Sequence, residues 1–296
     1  MPPSLHGVLS LYPLPNSTWQ QRPYFTSGDL ASDKAVVFIG GLYSGLFDTP
    51  FLVPLSNALT EAKWRLVQIF WSGCYDGFGT GGIDRDRDEL AALVKQLIGE
   101  GVKTVVVMGH STGSQDALHY LSTSAEPAVH GAILVSPASD RQFFEKDNDP
   151  VWKEQLVIAQ RLIAEGKGEE MLGEEMTKAA GARMTANRVF NLIGVGGLDD
   201  YFSSDLPDAP DGSAHVHPLS TSFGSLKVPA LAFWAENDHC NVLPDHRVLL
   251  RRWETASSGR LQWRFLDGAT HTVEEEDAQK VLCDEVVGWL SSQFEQ

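Results

Sequence analysis

The chain has little positive charge and no long apolar run. Lysine and arginine total 23 against 39 aspartates and glutamates, which gives a formal net charge of −16. Nucleic acids and anionic membrane surfaces bind clustered positive charge, so neither is expected as a partner. No stretch approaches the roughly 18 apolar residues of a membrane span. Internal repeats and low-complexity tracts, which would indicate a solenoid or a disordered linker, are also missing.

Cysteine is scarce as well. Cys74, Cys240 and Cys283 are odd in number and far apart in the chain. This argues against a disulfide framework, and the spacing offers no zinc site. The first ten residues have no basic residue ahead of an apolar core, so a secretory signal is not expected. We therefore expect reduced thiols in a soluble, cytoplasmic protein.

Short apolar runs alternate with longer segments of helical period, which is typical of a mostly parallel sheet flanked by helices. With 296 residues and 43% hydrophobic content, the chain can form a single α/β domain spanning 1–296. Helices are predicted over 84–98, with Asp84 as its cap, and over 274–294. Strands are predicted over 35–39, 66–70, 104–108, 131–135, 230–234 and 261–265.

The interval from about 140 to 227 interrupts this alternation. It contains two helical patterns, over 151–165 and 169–180, and then a stretch rich in glycine, aspartate and serine with no convincing strand. An insertion of this length between two strands predicts a helical lid over the strand ends. A surface excursion packed on the side of the domain is the alternative.

The run 104–108 leads directly into Gly109-His110-Ser111-Thr112-Gly113 and then into a helical segment. This is the G-x-S-x-G pattern of a nucleophile elbow, a sharp turn from strand to helix that exposes the serine at the top of a sheet. Glycines are needed on both sides because a Cβ there would collide with the neighbouring strand and helix. The pattern predicts Ser111 as a nucleophile.

A serine nucleophile needs a base, and the base needs an acid that orients it. His271 lies in a turn between the last predicted strand and the final helix, and Asp238 follows the strand 230–234. Together they give the chain order Ser, Asp, His that this architecture requires. Glu236 and Asp140 are the alternative acids, and a solvated loop histidine is the alternative reading of His271.

The oxyanion of an acyl-transfer reaction needs two N–H donors. Thr112, directly after the nucleophile, is expected to supply one. Leu42, after the glycine pair that follows strand 35–39, is expected to supply the other, with Tyr43 as the alternative. The sequence thus predicts a serine esterase with a small-molecule ester substrate and no metal or organic cofactor. A lactonase, a thioesterase, an acyltransferase and a non-catalytic ligand-binding protein are the alternatives.

These motifs resemble the α/β-hydrolase superfamily over 35–139 and from 228 onward. Three strings, Phe38-Ile39-Gly40-Gly41-Leu42, the octapeptide 109–116 and the segment 199–206, are more narrowly similar to the fungal siderophore-esterase group. The resemblance implies hydrolysis of fusarinine-type siderophore esters inside the cell, with a ferric siderophore as the candidate partner. Gly40 departs from the histidine that many esterases carry at this position.

The interval 189–226 contains no lysine or arginine but five aspartates, at positions 199, 200, 205, 208 and 211. An approaching ligand would meet a field of one sign. We therefore expect Asp199, Asp200 and Asp205, with Tyr43, to bind an ester that bears amino groups. The alternative is that these aspartates cap helices and shape turns.

Two further patterns are set aside. Residues 77–82 match G-x-G-x-x-G, but six residues separate them from the preceding strand and the next strand ends in the elbow, so no dinucleotide is expected. His215 and His217 lack a third ligand at a defined spacing, so no metal site is expected there.

Overall fold

The computed structural model describes residues 4–15, 17–123 and 126–294, so the first three residues of the segment considered for a secretory signal lie outside it. The described strands form one sheet. They are β1 (Val8–Pro13), β2 (Gln21–Gly28), β3 (Lys34–Ile39), β4 (Arg65–Ile69), β5 (Thr104–His110), β6 (Gly131–Val135), β7 (Ala230–Ala235) and β8 (Leu261–Leu266).

The strand order is β1-β2-β4-β3-β5-β6-β7-β8. Pairs from β4 through β3 to β8 are parallel, whereas β1 pairs with β2, and β2 with β4, in the antiparallel sense. The predicted strands are confirmed with ends shifted by two residues at most, and the α/β-hydrolase fold class is confirmed. The antiparallel pair at the edge is an addition to the prediction.

The helices cover both faces of the sheet. They are α1 (Leu52–Glu61), α2 (Ile83–Gly99), α3 (Thr112–Ser122), α4 (Asp140–Asp147), α5 (Pro150–Ala164), α6 (Glu174–Ala180), α7 (Ala186–Ile193), α8 (Arg247–Ala256) and α9 (Glu276–Phe294). Short 3₁₀ helices span Tyr75–Thr80 and Phe223–Ser225. No helix within the described ranges is long and apolar enough to cross a membrane.

Alternation along the central strand β5 explains the two-layered core. Val105 and Val107 pack with α2, α3 and α8, while Val106 and Met108 pack with α1 and α9 on the opposite face. Successive side chains of a strand point to opposite faces, so a strand buried on both sides needs an unbroken apolar run. The sequence 105–108 supplies that run, and its carboxyl end therefore carries Ser111 to a fixed position above the sheet.

Two local predictions are wrong. Asp84 does not cap α2, which begins at Ile83 after Gly82; its carboxylate instead accepts hydrogen bonds from Arg87 (2.7 Å) and from the imidazole of His119 (3.0 Å). The helix predicted over 169–180 begins only at Glu174. The N–H of Leu172 donates to a backbone carbonyl of residue 184 (2.9 Å), which keeps that stretch extended.

The insertion between β6 and β7 contains α4 to α7 and has an apolar cluster of its own. Trp152, Met176, Met184 and Leu192 are buried in it, and Phe78 joins the cluster from the 3₁₀ helix that precedes α2. The insertion is therefore packed against the rest of the chain and brings α4 and α5 over the carboxyl ends of the strands.

Candidate active site

Ser111 lies at the junction of β5 and α3 with φ 55° and ψ −126°, a left-handed conformation that side chains rarely adopt. A Cβ on Gly109 would lie 2.0 Å from the carbonyl oxygen of Gly113, and one on Gly113 would lie 2.4 Å from that of Ile39. The Ser111 N–H donates to the carbonyl of Val135 (3.0 Å), which ties the turn to β6. The strained turn is therefore held from several sides and has no room for larger neighbours.

His271 contacts both Ser111 and Asp238. Its Nε2 lies 2.8 Å from the Ser111 Oγ, and its Nδ1 lies 2.7 Å from the Asp238 Oδ2. A serine that donates and a carboxylate that accepts require the tautomer with the proton on Nδ1. The turns after β5, β7 and β8 thus bring together three side chains that are 160 and 33 residues apart in the chain.

The alternative acids have other partners. Glu236 accepts a hydrogen bond from the N–H of Gly268 (2.8 Å), and Asp140 accepts one from the side-chain amide of Gln115 (2.8 Å). Asp238 alone of the three candidate acids contacts the imidazole of His271. Its other oxygen accepts a hydrogen bond from the N–H of Cys240 (2.8 Å), which restricts the orientation of the carboxylate.

The carboxyl group of Asp238 is almost fully buried. Burial raises its pKa, but the hydrogen bond and charge of His271 and the N–H of Cys240 outweigh this effect, so that the pKa lies below its ordinary value. Asp238 is accordingly ionised at neutral pH, as a carboxylate that stabilises an imidazolium must be.

The loop after β3 passes directly beside Ser111. A Cβ on Gly41 would lie 3.2 Å from the Ser111 Cβ, so only glycine allows this approach without displacement. Leu42 and Tyr43 lie inside a turn that is closed by a hydrogen bond from the Ser44 N–H to the Gly41 carbonyl (3.0 Å). Their own N–H groups have no acceptor among the described residues. Thr112 opens α3, and its N–H therefore has no acceptor within the helix.

His110, which the sequence analysis did not single out, also contacts the base. Its Nε2–H donates to the backbone carbonyl of His271 (2.9 Å). Burial lowers the pKa of His110 to about 4, so this ring is neutral and donates in that one direction. Its position beside the serine in G-x-S-x-G is the signal that could have identified it.

A cavity of about 420 Å³ opens above Ser111. Leu42 and Tyr43 line it from the loop after β3, and the 3₁₀-helix residue Phe78 packs edge-on against the Tyr43 ring (4.8 Å). The insertion supplies the opposite wall, with Asp140, Phe143, Phe144, Trp152 and Ala179. The wall that the insertion supplies is thus rich in aromatic side chains, and these residues lie over the candidate nucleophile.

The three aspartates expected to bind the substrate are paired within the protein, which reduces the expected acidic field of the insertion. Asp199 pairs with Arg188, and Asp200 and Asp205 pair with Arg141 (2.7 Å from its Nε to the Asp200 Oδ2). Asp199 and Asp200 are 3% and 4% exposed, and none of the three aspartates lines the cavity above Ser111. Both arginines lie outside 189–226, so the composition of that interval could not show the neutralisation.

Asp238, Cys240 and His271 form the one group of potential metal ligands in the described part of the chain, with ligand atoms within 4.8 Å of one another. Asp238 and His271 are already hydrogen-bonded to each other, and burial raises the pKa of the Cys240 thiol, which disfavours the thiolate that a metal requires.

His217, one of the two histidines that the sequence analysis considered for a metal site, has other contacts. Its ring stacks on that of Tyr201 (3.8 Å between ring centroids), and its Nε2 is hydrogen-bonded to the backbone carbonyl of Leu198 (2.8 Å).

The glycine run 77–82 has a packing role in the structure. It lies largely within the 3₁₀ helix Tyr75–Thr80, and a Cβ on Gly79 would lie 2.0 Å from the carbonyl oxygen of Arg183. The run therefore allows close contact between this helix and the insertion.

The parallel sheet, the strained serine turn, and the aspartate and histidine on the turns after β7 and β8 are the features of an α/β hydrolase. The chain belongs to the family described as "Protein of unknown function (DUF1749)", which matches residues 2–291.

The chain is similar to several known proteins, and two of the three described here are named for the cleavage of siderophores. The chain is 31% identical over 276 residues to the UPF0613 protein PB24D3.06c of Schizosaccharomyces pombe, covering 88% of this chain and 85% of that protein. It is 26% identical over 353 residues to the fusarinine C esterase sidJ of Aspergillus fumigatus, covering 97% and 96%. The solved structure of the siderophore hydrolase EstB from Aspergillus fumigatus superposes with a TM-score of 0.79 at 25% identity, covering 99% of both chains. These comparisons confirm the resemblance and support an esterase.

Proposed function

We propose that this protein is a serine esterase whose catalytic residues are Ser111, His271 and Asp238 and whose substrate is a fusarinine-type siderophore ester. The observation that carries the proposal is the hydrogen-bonded chain from the Ser111 Oγ through the imidazole of His271 to the Asp238 carboxylate. The substrate class is supported by the names of two relatives, a fusarinine C esterase and a siderophore hydrolase. Such an activity would place the protein in iron metabolism. A cytoplasmic location stays a prediction from the sequence.

The geometry supports the following reaction. The Ser111 Oγ attacks the ester carbonyl while its proton moves to Nε2 of His271, and Asp238 stabilises the resulting imidazolium through Nδ1–H. The N–H groups of Leu42 and Thr112 donate to the oxyanion of the tetrahedral intermediate. Collapse breaks the bond to the alcohol, which leaves with the proton from Nε2 and creates an acyl-serine.

Water completes the cycle. It attacks the acyl-serine carbonyl as His271 takes one of its protons, and collapse of the second intermediate returns that proton to the Ser111 Oγ and releases the acid. No redox step is involved, and the net reaction converts one ester and one water into an acid and an alcohol, with the protons carried by His271 and the acyl group carried by Ser111.

Residues 140–227 act, in this proposal, as a lid on a single α/β domain. Phe143, Phe144 and Trp152 form one wall of the cavity, so substrate has to enter beneath α4 and α5. A cavity of about 420 Å³ is within the range that holds small ligands. It would accommodate one ester arm of a larger siderophore, with the remainder outside.

Replacement of Ser111 by alanine tests the proposal. Ester turnover should fall by about three orders of magnitude or more, while the thermal midpoint stays nearly unchanged because only one hydroxyl of a half-buried side chain is removed. Wild type should also react with a fluorophosphonate probe and S111A should not. Equal hydrolysis of a fusarinine-type ester by both proteins would refute the serine mechanism. Labelling without ester hydrolysis would instead favour a lactonase, thioesterase or acyltransferase.

A further inference from the structure

One carboxylate lines the cavity without an ion-pair partner among the described residues. Asp140 opens α4 directly after β6 and lines the cavity together with Ser111 and His271. Its Oδ2 accepts a hydrogen bond from the uncharged amide of Gln115 (2.8 Å). Its Oδ1 accepts none from the residues that the structure describes, and no described lysine or arginine lines the cavity.

This position contrasts with the aspartates of the insertion. Asp199, Asp200 and Asp205 each form an ion pair with an arginine, so their charges are largely neutralised within the protein. Burial, with a smaller effect of the Asp199 charge, raises the pKa of Asp140 to about 6, against the lowering effects of the Gln115 hydrogen bond and of the more distant charges of Arg188 and His271. At neutral pH the group is still mostly ionised. A partly desolvated carboxylate with one neutral donor has capacity left for a charged one.

The walls around Asp140 suit an organic cation. Tyr43, Phe143, Phe144 and Trp152 line the same cavity, and aromatic faces attract ammonium groups. The other titratable groups on the lining are His110, which burial keeps neutral, and His239, Cys240 and His271. The Asp140 carboxylate would therefore repel an anionic substrate group. It would attract a protonated amine, for which it is a hydrogen-bond acceptor of opposite charge.

We propose that Asp140 is a specificity-determining residue whose carboxylate binds a protonated amine of the substrate, so that the enzyme selects esters bearing an ammonium group over their N-acetylated counterparts. The inference rests on the proposed esterase function, and it identifies the ammonium group as the part of the substrate that Asp140 recognises. In this proposal a single contact inside the cavity selects the amine, and the long-range field expected from the aspartates of the insertion is not needed.

The test compares matched esters on purified full-length protein. The probes are methyl esters of aminobutyrate and aminohexanoate, their N-acetyl derivatives and the neutral alkyl analogues, and the readout is the ratio of kcat/KM for amino and N-acetyl forms. Asp140→Asn, which retains an oxygen for Gln115, should lower that ratio by about tenfold to a hundredfold, the range of one charge-assisted hydrogen bond. Asp211→Asn removes the same charge from an exposed turn and should leave the ratio unchanged.

Two results would overturn the inference: a ratio that Asp140→Asn does not change, including the case of an equal loss for amino and N-acetyl esters, or an equal effect of Asp211→Asn on the ratio. The equal loss would mean that Asp140 supports α4 or His271 and does not select substrate. Failure of the proposed function is a separate result, since it would appear as ester hydrolysis that survives Ser111→Ala.

A second measurement on wild type covers the case in which Asp140→Asn does not fold. Hexylammonium and hexanol are compared as competitive inhibitors of neutral-ester hydrolysis. The cation should bind about tenfold more tightly or better, and this preference should persist in salt because a contact inside the cavity is screened less than a surface field. Equal inhibition by the two compounds would overturn the inference.

Discussion

Replacing Asp238 with asparagine tests the tautomer on which the proposed chemistry depends. The Asp238 Oδ1 accepts from the N–H of Cys240 (2.8 Å), and an asparagine can keep this bond only through its carbonyl oxygen. The NH₂ group of the asparagine then points at Nδ1 of His271. In the wild-type protein this Nδ1 lies 2.7 Å from the Asp238 Oδ2. Two donors cannot face each other, so His271 shifts its proton to Nε2 and can no longer accept the proton of Ser111.

The expected loss is large because orientation and charge stabilisation disappear together. We expect kcat to fall by about 10³- to 10⁴-fold, which corresponds to about 4–5.5 kcal/mol of transition-state stabilisation. KM should change little, since Asp238 does not line the cavity. The change therefore belongs to the chemical step and not to substrate binding.

The assay is steady-state hydrolysis of a neutral ester by wild type, Asp238→Asn and Glu236→Gln. Glu236 lies in the same turn, and its hydrogen bond from Gly268 (2.8 Å) can be kept by an amide oxygen, so Glu236→Gln should stay within about threefold of wild type. Comparable kcat values for the two variants, with both folded by circular dichroism, would refute the assignment of the acid.

Two further predictions concern the approach to Ser111 and a buried acid. Gly41→Ala places a Cβ 3.2 Å from that of Ser111 and should lower kcat by about a hundredfold, because it displaces an oxyanion donor. The control Gly99→Ala, which has open space around the added Cβ, should be as active as wild type. Equal kcat values for the two variants would contradict the predicted role of the loop. Burial and two nearby aspartates raise the pKa of Asp116 well above its ordinary value, so the folded state holds a proton that the unfolded state releases, and the resulting stability is present at acidic pH and lost as pH rises. Asp116→Asn should therefore raise the thermal midpoint at mildly alkaline pH and flatten its pH dependence, as measured by calorimetry, and an unchanged profile would contradict this.

Local signals account for what could be predicted from the sequence. The core strands are short apolar runs, and the elbow is a glycine pattern with a steric cause, so both can be recognised within a few residues. The pair β1 and β2 could not be recognised in this way. Leu9 and Leu11 of β1 are 62% and 53% exposed, a proline ends β1 and another lies within β2, so an edge that gains its stability from pairing carries only a weak pattern.

The charges of the insertion show a different limit. Arg141 lies 59 residues before Asp200 and 64 before Asp205, and the pairing exists only because the chain returns to α4 after α7. A charge count over an interval measures composition, whereas the field that a ligand meets depends on which charges are paired in the fold. Five aspartates without a local cation therefore suggested a field that three buried or half-buried arginines outside the interval reduce.

In the proposed function, chemistry and substrate selection come from different segments of the chain. Ser111, Asp238 and His271 are fixed by turns that follow strands of one rigid sheet, and their distances depend on strand register. The cavity wall opposite them begins with Asp140, where the insertion leaves β6, and continues through α4 and α5. Because β6 lies next to β5 in the sheet, the first residue of the insertion necessarily reaches the neighbourhood of the nucleophile. A carboxylate at that position can alter which ester is accepted without any change in the three residues that cleave it.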